Sequence, residues 1–144
     1  MLFLTFQIGD QRLALDVRRV REVVPWVPLQ RSSSSPAWLA GMFVYRGEVI
    51  PVVDLHRLKG AGECPSYLSS RIILVSPSSE SERPPIGLLA ARVVDVREID
   101  SSSPSAKAGR ATVEGGKILL IVDLDRLLPP SAHLDIQALL GGSA

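Results

Sequence analysis

From Phe3 to Val17 the chain reads FLTFQIGDQRLALDV, two short alternating apolar–polar stretches joined at Gly9 and Asp10. Period-two alternation around a Gly-Asp corner predicts a β-hairpin. Val17, Val20 and Val24 then fall at helical spacing until Pro25 and Pro28 interrupt it, predicting a short helix or a bent strand. QRSSSSP at 30–36 has nothing to pack and reads as a surface loop. In AWLAGMFVYRGEVIPVVDL, residues 37–55, an apolar approach meets a turn at Arg46-Gly47 and continues as a buried strand. Pro51 inside that strand implies an edge or a bulge. After the loop KGAGECPSYLSS, RIILVS at 71–76 is a strand and PSSESERPP a hairpin-like excursion. IGLLAARVVDVREI at 86–99 reads as strand, turn, strand, and DSSSPSAKAGRATVEGG at 100–116 as a mobile connector. KILLIVDL is the last strong strand, and SAHLDIQALL predicts a closing helix that starts near Ser131. Many short, closely spaced strands with brief helical turns indicate an all-β barrel or sandwich.

One phrase occurs twice. YRGEVIPVVDLHRL at 45–58 returns as GGKILLIVDLDRL at 115–127. At an offset of 69 residues, Gly47, Val53, Asp54, Leu55, Arg57 and Leu58 meet Gly116, Val122, Asp123, Leu124, Arg126 and Leu127. Two buried strands resemble each other simply because both need Val, Ile and Leu. A shared Gly, Asp, Arg and closing Leu at fixed spacing favours duplication over coincidence. Gly47 and Gly116 suit the positive φ of a tight turn. Asp54 and Asp123 stand where a strand ends and a helical turn begins, the place of an N-cap. A competing reading makes the two aspartates a symmetric catalytic pair, as in aspartic proteases. Each is followed by leucine rather than by the polar loop such a site needs, and each has an arginine nearby. Capping is therefore favoured, and the hydrolase using Asp54 and Asp123 is kept as a remote alternative. Arg46 faces Gly115 in the second copy, so the repeat itself does not require an arginine there.

At 144 residues the chain reads as a single domain, 1–144, with approximate halves at 1–67 and 68–144 between which strands can cross. Hydrophobic residues at 46% and charged residues at 22% fit a folded globular chain. Sixteen basic and fifteen acidic side chains leave a net charge of +1, and the short RRVR at 18–21 is the nearest approach to a basic run, which argues against nucleic acid as a partner. MLFLTF is too short for a signal peptide or membrane span, so a cytoplasmic protein without membrane insertion is expected. Cys64 is the single cysteine, which excludes an internal disulfide, and it reads as an exposed thiol in a loop. His56 and His133 lack any HExxH pattern, and His56 is expected in solvent. No nucleotide-binding glycine loop and no GxSxG elbow is present, so neither a cofactor nor a metal is implied, and no enzyme is indicated.

The stretch VREVVPWVPLQRSSSSPAWLAGMFVYRGEVIPVVDL resembles CheW, the adaptor of bacterial chemosensory arrays. Val20, Glu22, Pro36, Gly41, Arg46, Gly47, Pro51, Val52, Asp54 and Leu55 fall on the family pattern in order. IGLLAARVVDVREI and KILLIVDLDRLL resemble its later strands. The resemblance implies an all-β fold with short helices, two similar five-stranded SH3-like β-barrel subdomains packed side by side. It also implies a non-enzymatic scaffold that joins the cytoplasmic tip of a methyl-accepting chemoreceptor to the regulatory domain of a CheA-type histidine kinase. Carried over by motif, Arg46 and Glu22 would pair beside a receptor-binding groove lined by Val20 and Gly41. Val44 and Tyr45 stand where the family usually has asparagine and leucine, which carries the alternative of an accessory member binding one partner only. Val44 thereby joins Arg46, Glu22, Val20 and Gly41 as an expected receptor-facing residue.

Overall fold

A computed structural model of the chain describes residues 1–31, 34–76, 85–99, 111–114 and 116–128. Among the described residues are nine strands: β1 (Leu2–Ile8), β2 (Gln11–Asp16), β3 (Val20–Pro25), β4 (Leu39–Tyr45), β5 (Glu48–Asp54), β6 (Arg71–Val75), β7 (Ile86–Glu98), β8 (Ala111–Glu114) and β9 (Lys117–Val122). Two single-turn helices, α1 (Leu55–Leu58) and α2 (Leu124–Leu127), follow β5 and β9. The excursion at 77–84 and the helix expected near Ser131 lie outside the described residues.

The strands fall into two sets of five that share β7. One set runs β3-β6-β7-β5-β4 and the other β7-β1-β2-β9-β8. Reading across either set, the pairings are antiparallel, antiparallel, parallel, antiparallel. The duplicated phrase is thus one part of a duplicated ladder: β4–β5–α1 in one set corresponds to β8–β9–α2 in the other. β1 and β2, early in the chain, pair with β7 and β9, late in it. Among the described residues no ladder joins the edge strands of either set. The nearest approach is an isolated bridge from Gln30 to Met42, which draws the segment after β3 onto β4.

Alternation on the strands divides the core into three. Ile73 and Val75 of β6, Val53 of β5, Leu88 of β7 and Leu4, Phe6, Leu13 and Leu15 of β1 and β2 meet in a central cluster between the two sets. The opposite faces of β5, β6 and β7 put Ile50, Val52, Ile72, Leu74 and Leu89 inside the first set. Phe3, Ala14, Leu119 and Ile121 fill the second. β5 and β6 are covered on both faces, which is why they read as nearly unbroken apolar runs. Gly87 permits the closeness of that packing, since a Cβ there would lie 2.8 Å from Ile72 Cγ2 and 3.0 Å from Val52 Cγ2.

Residues 17–24 form a 3₁₀ turn, Val17–Arg19, followed by strand β3 with a register shift between Val20 and Glu22, in keeping with the expected short helix or bent strand. Two expectations are corrected. Residues 86–99 contain no turn, and β7 is one strand of 13 residues. Its direction changes at a bulge, where Thr5 and Gln7 of β1 pair with Asp95 and Ala91 and leave Arg92 at φ 50°. Finally, Ala111–Glu114 of the expected connector is strand β8. Pro51 lies one residue before β5 begins to pair with β7, where no ladder bond from its nitrogen to β7 is needed.

Candidate functional site

Tyr45 and Glu48 are paired residues, so Arg46-Gly47 is a two-residue hairpin loop. Arg46 at φ 50° and Gly47 at φ 80° both lie in the left-handed region, the signature of a type I′ turn. Asn, Asp or Gly ordinarily fills the first of these positions. An arginine there carries the left-handed strain of a residue with a Cβ, about 1–2 kcal/mol. Its guanidinium lies 5.1 Å from the centroid of the Tyr45 ring and 3.6 Å, Nη2 to Oε2, from Glu22 on β3. The pair thus spans the gap between the β4–β5 turn and the edge strand of the same set. It is an exposed pair, with the Arg46 side chain 78% accessible, so it orients the guanidinium more than it adds stability.

Between β3 and the β4–β5 hairpin runs an open, mainly apolar groove of about 650 Å³, lined among others by Val24, Val27, Pro28, Val44, Tyr45 and Val49. Val44 and Val49 form a cross-strand pair and are 71% and 49% exposed. The Phe43 and Tyr45 rings stand 6.2 Å apart, with Arg46 over the latter. Of the residues named from sequence, Val44 lines the groove, and Arg46 pairs with Glu22 over Tyr45, another residue of its lining. Val20 and Gly41 do not line this groove. Val20 is half-buried against the central core. Gly41, at φ 149°, lies beneath the crossing chain, where a Cβ would come within 2.7 Å of Leu29 Cβ and 2.8 Å of the Gln30 carbonyl oxygen. Val27, Pro28, Val49 and the two aromatic rings were missed from sequence. The prolines in VPWVPL were the available signal, since they keep that segment out of a ladder and leave its side chains as a wall.

The aspartates occupy the cap positions. Asp54 Oδ1 accepts from the N–H groups of His56, at 2.9 Å, and Arg57, at 3.3 Å, while Oδ2 accepts from Cys64 N–H at 3.1 Å. Asp123 accepts from Asp125 N–H at 3.0 Å. Gly47 and Gly116 each have φ 80°. Among the described residues no hydrogen bond or ion pair joins Asp54 to Asp123. Two sequence expectations fail beside Asp54: His56 and Cys64 are buried, at 2% and 3% exposure. Asp54 bonds the Cys64 backbone and draws the 59–64 loop inward, a link ten residues long that local sequence does not display. Burial, reinforced by the Asp54 charge, pushes the Cys64 thiol up to about 12. Burial lowers the pKa of His56 against the opposing pull of Asp54.

Residues 2–131 match the CheW-like domain family. A chemotaxis protein CheW of Rhizobium meliloti is 27% identical over 138 residues, covering 88% of this chain and 86% of that one. A probable chemotaxis protein CheW of Rhizobium etli is 31% identical over 93 residues, covering 65% of this chain and 57% of the relative. The crystal structure of the scaffolding protein TtCheW from Thermoanaerobacter tengcongensis superposes with a TM-score of 0.77 at 25% identity, over 91% of this chain and 89% of the other. Among the described residues no helix is long and apolar enough to cross a membrane.

Proposed function

The chain belongs to the CheW-like domain family of chemotaxis adaptors, and from that premise we propose that it couples the cytoplasmic tip of a chemoreceptor to the regulatory domain of a CheA-type histidine kinase, in the cytoplasm and without chemistry of its own. The observation that carries the receptor side is Arg46. It holds a strained left-handed position that the second copy gives to glycine, and its guanidinium is presented in solvent by Tyr45 and Glu22. Strain retained at one exposed side chain supports a role for that side chain. Arg46, Glu22 and Val44 form the receptor-facing group, and Val20 and Gly41 support it from beneath by fixing β3 and the Leu29–Gln30 crossing.

The kinase side draws support from the duplication. Val44–Val49 on the β4–β5 hairpin has a counterpart 69 residues on, Val113–Ile118 on β8–β9, also a cross-strand pair and 70% and 67% exposed. With Val44 given to the receptor side, the Val113–Ile118 pair on the other set of strands is left in solvent, is unneeded by either core, and suits docking of an apolar kinase surface. The capping geometry of Asp54 and Asp123 supports architecture rather than hydrolysis.

Arg46→Glu tests the receptor side. The variant should fold, because the exposed pair contributes at most about 1 kcal/mol. It should lose receptor-fragment binding at least tenfold in a pull-down or titration while still binding the kinase regulatory domain. A folded variant with unchanged receptor binding would remove Arg46 from the interface.

A further inference from the structure

We propose that Asp54, His56 and Cys64 form a binding site for one zinc-type divalent cation. The three residues lie at the end of β5, in α1 and at the close of the 59–64 loop, all buried, and one ligand atom from each lies within 4.8 Å of the other two. His56 Nδ1 is cut off from solvent and has no hydrogen-bond partner. A buried nitrogen left in that condition keeps its desolvation penalty unless something satisfies it. The cap itself does not ask for an imidazole. In the second copy Asp123 caps α2 with an exposed aspartate, Asp125, in the place of His56.

The donor set selects the cation. An ionised carboxylate offers about four acceptor positions, and Asp54 spends three of them on backbone N–H groups, two at Oδ1 and one at Oδ2. The remaining lone pair on Oδ2, an imidazole nitrogen and a thiolate make a mixed O/N/S set. Zinc accepts such a set, whereas magnesium and calcium demand oxygen. Three protein ligands leave a fourth position for water. Binding replaces the S–H bond of Cys64 with an S–metal bond and releases the proton to solvent. The thiol makes a long contact, 3.6 Å, to the Pro65 carbonyl oxygen and has the Ser70 hydroxyl beside it. Arg57 lies 3.8 Å from Asp54 and opposes a cation there, but it also reaches Glu63 at 3.6 Å and can keep that partner when the metal takes the carboxylate. The exposed stretch Lys59–Glu63, with Gly60 and Gly62 at φ 75° and 80°, is the cover through which the ion passes.

Cobalt is the probe. The untagged full chain, reduced and freed of metal with a chelator, should bind one Co²⁺ per chain with a near-ultraviolet thiolate-to-cobalt band that zinc abolishes. His56→Gln should weaken cobalt binding at least tenfold, and Cys64→Ser should lose the band and the zinc stoichiometry. Absence of the band, or zinc stoichiometry unchanged in both variants, overturns the site. Should the variants fail to fold, the wild type decides. Excess zinc should slow alkylation of Cys64 at a temperature where the chelator-treated chain is readily modified, and equal rates with and without zinc overturn the proposal. Arg46 and the exposed hairpins take no part, so the outcome is independent of the adaptor reading.

Discussion

At the scale of single residues, Arg46 and Asp54 are the places to test the proposed division between function and support. Arg46→Gly installs the residue that the second copy has at this turn. Relief of left-handed strain is offset by the greater freedom of glycine in the unfolded chain, so stability should stay within about 1 kcal/mol of wild type. Receptor binding should nevertheless collapse, as with Arg46→Glu. Urea midpoints and binding isotherms on the same preparations check this, and parallel losses of stability and binding would make Arg46 structural. The two aspartates should differ. Asp54→Ala strands three backbone N–H groups, one of them ten residues away, and should cost about 2–4 kcal/mol. Asp123→Ala removes a simpler cap and should cost about 0.5–2 kcal/mol. Equal effects in denaturant melts would contradict the distinction. The caps and the pairing of Arg46 with Glu22 were legible in the sequence because each follows from a motif at short spacing or from the family pattern. The burial of His56 and Cys64 was not, since it depends on the reach of one carboxylate across a loop.

At the scale of elements, alternation exposed the strands that pack on one face and missed what pairing alone decides. The Leu2–Asp16 hairpin follows from its pattern and its Gly-Asp corner. The continuity of β7 was illegible because its bulge exists only where the strand leaves β6 and takes up β1. β8 was hidden by having few apolar residues, its pairing with β9 making it a strand. Gly87, inside β7, should tolerate no methyl group. Gly87→Ala should lower stability by about 1–3 kcal/mol through overpacking against Ile72 and Val52, readable as a shifted urea midpoint; a neutral outcome would show that the strands can part. The 3₁₀ turn before β3 carries a pH dependence. Partial burial works to raise the pKa of Asp16, but its bonds to the Arg18 side chain and backbone prevail and hold it low. A carboxylate lowered on folding stabilises above its unfolded pKa, about 3.9, and that contribution fades as pH falls through the folded value. Wild type should therefore lose more stability than Asp16→Asn on acidification below about pH 4, less so in high salt. Identical acid limbs for the two proteins would contradict the role given to Asp16.

At the scale of the whole molecule, duplication accounts for the fold and frames the proposed placement of function. Each set of five strands repeats the same order of pairings, and the largest cluster of the core lies between the sets, so each supports the other. The proposed receptor site occupies what the copies do not share, Arg46 with Glu22 beside Val44, and the proposed kinase site the Val113–Ile118 pair that β8–β9 leaves in solvent. A scaffold that couples two partners needs separate surfaces on one stable body, and this distribution supplies them. The direct test is a three-component pull-down, with receptor cytoplasmic fragment as bait and the kinase regulatory domain in solution. The kinase domain should be retained only when this chain is added, and Arg46→Glu should release both from the bait. Retention of the kinase domain without this chain, or binding of the chain to neither partner, would contradict the adaptor account.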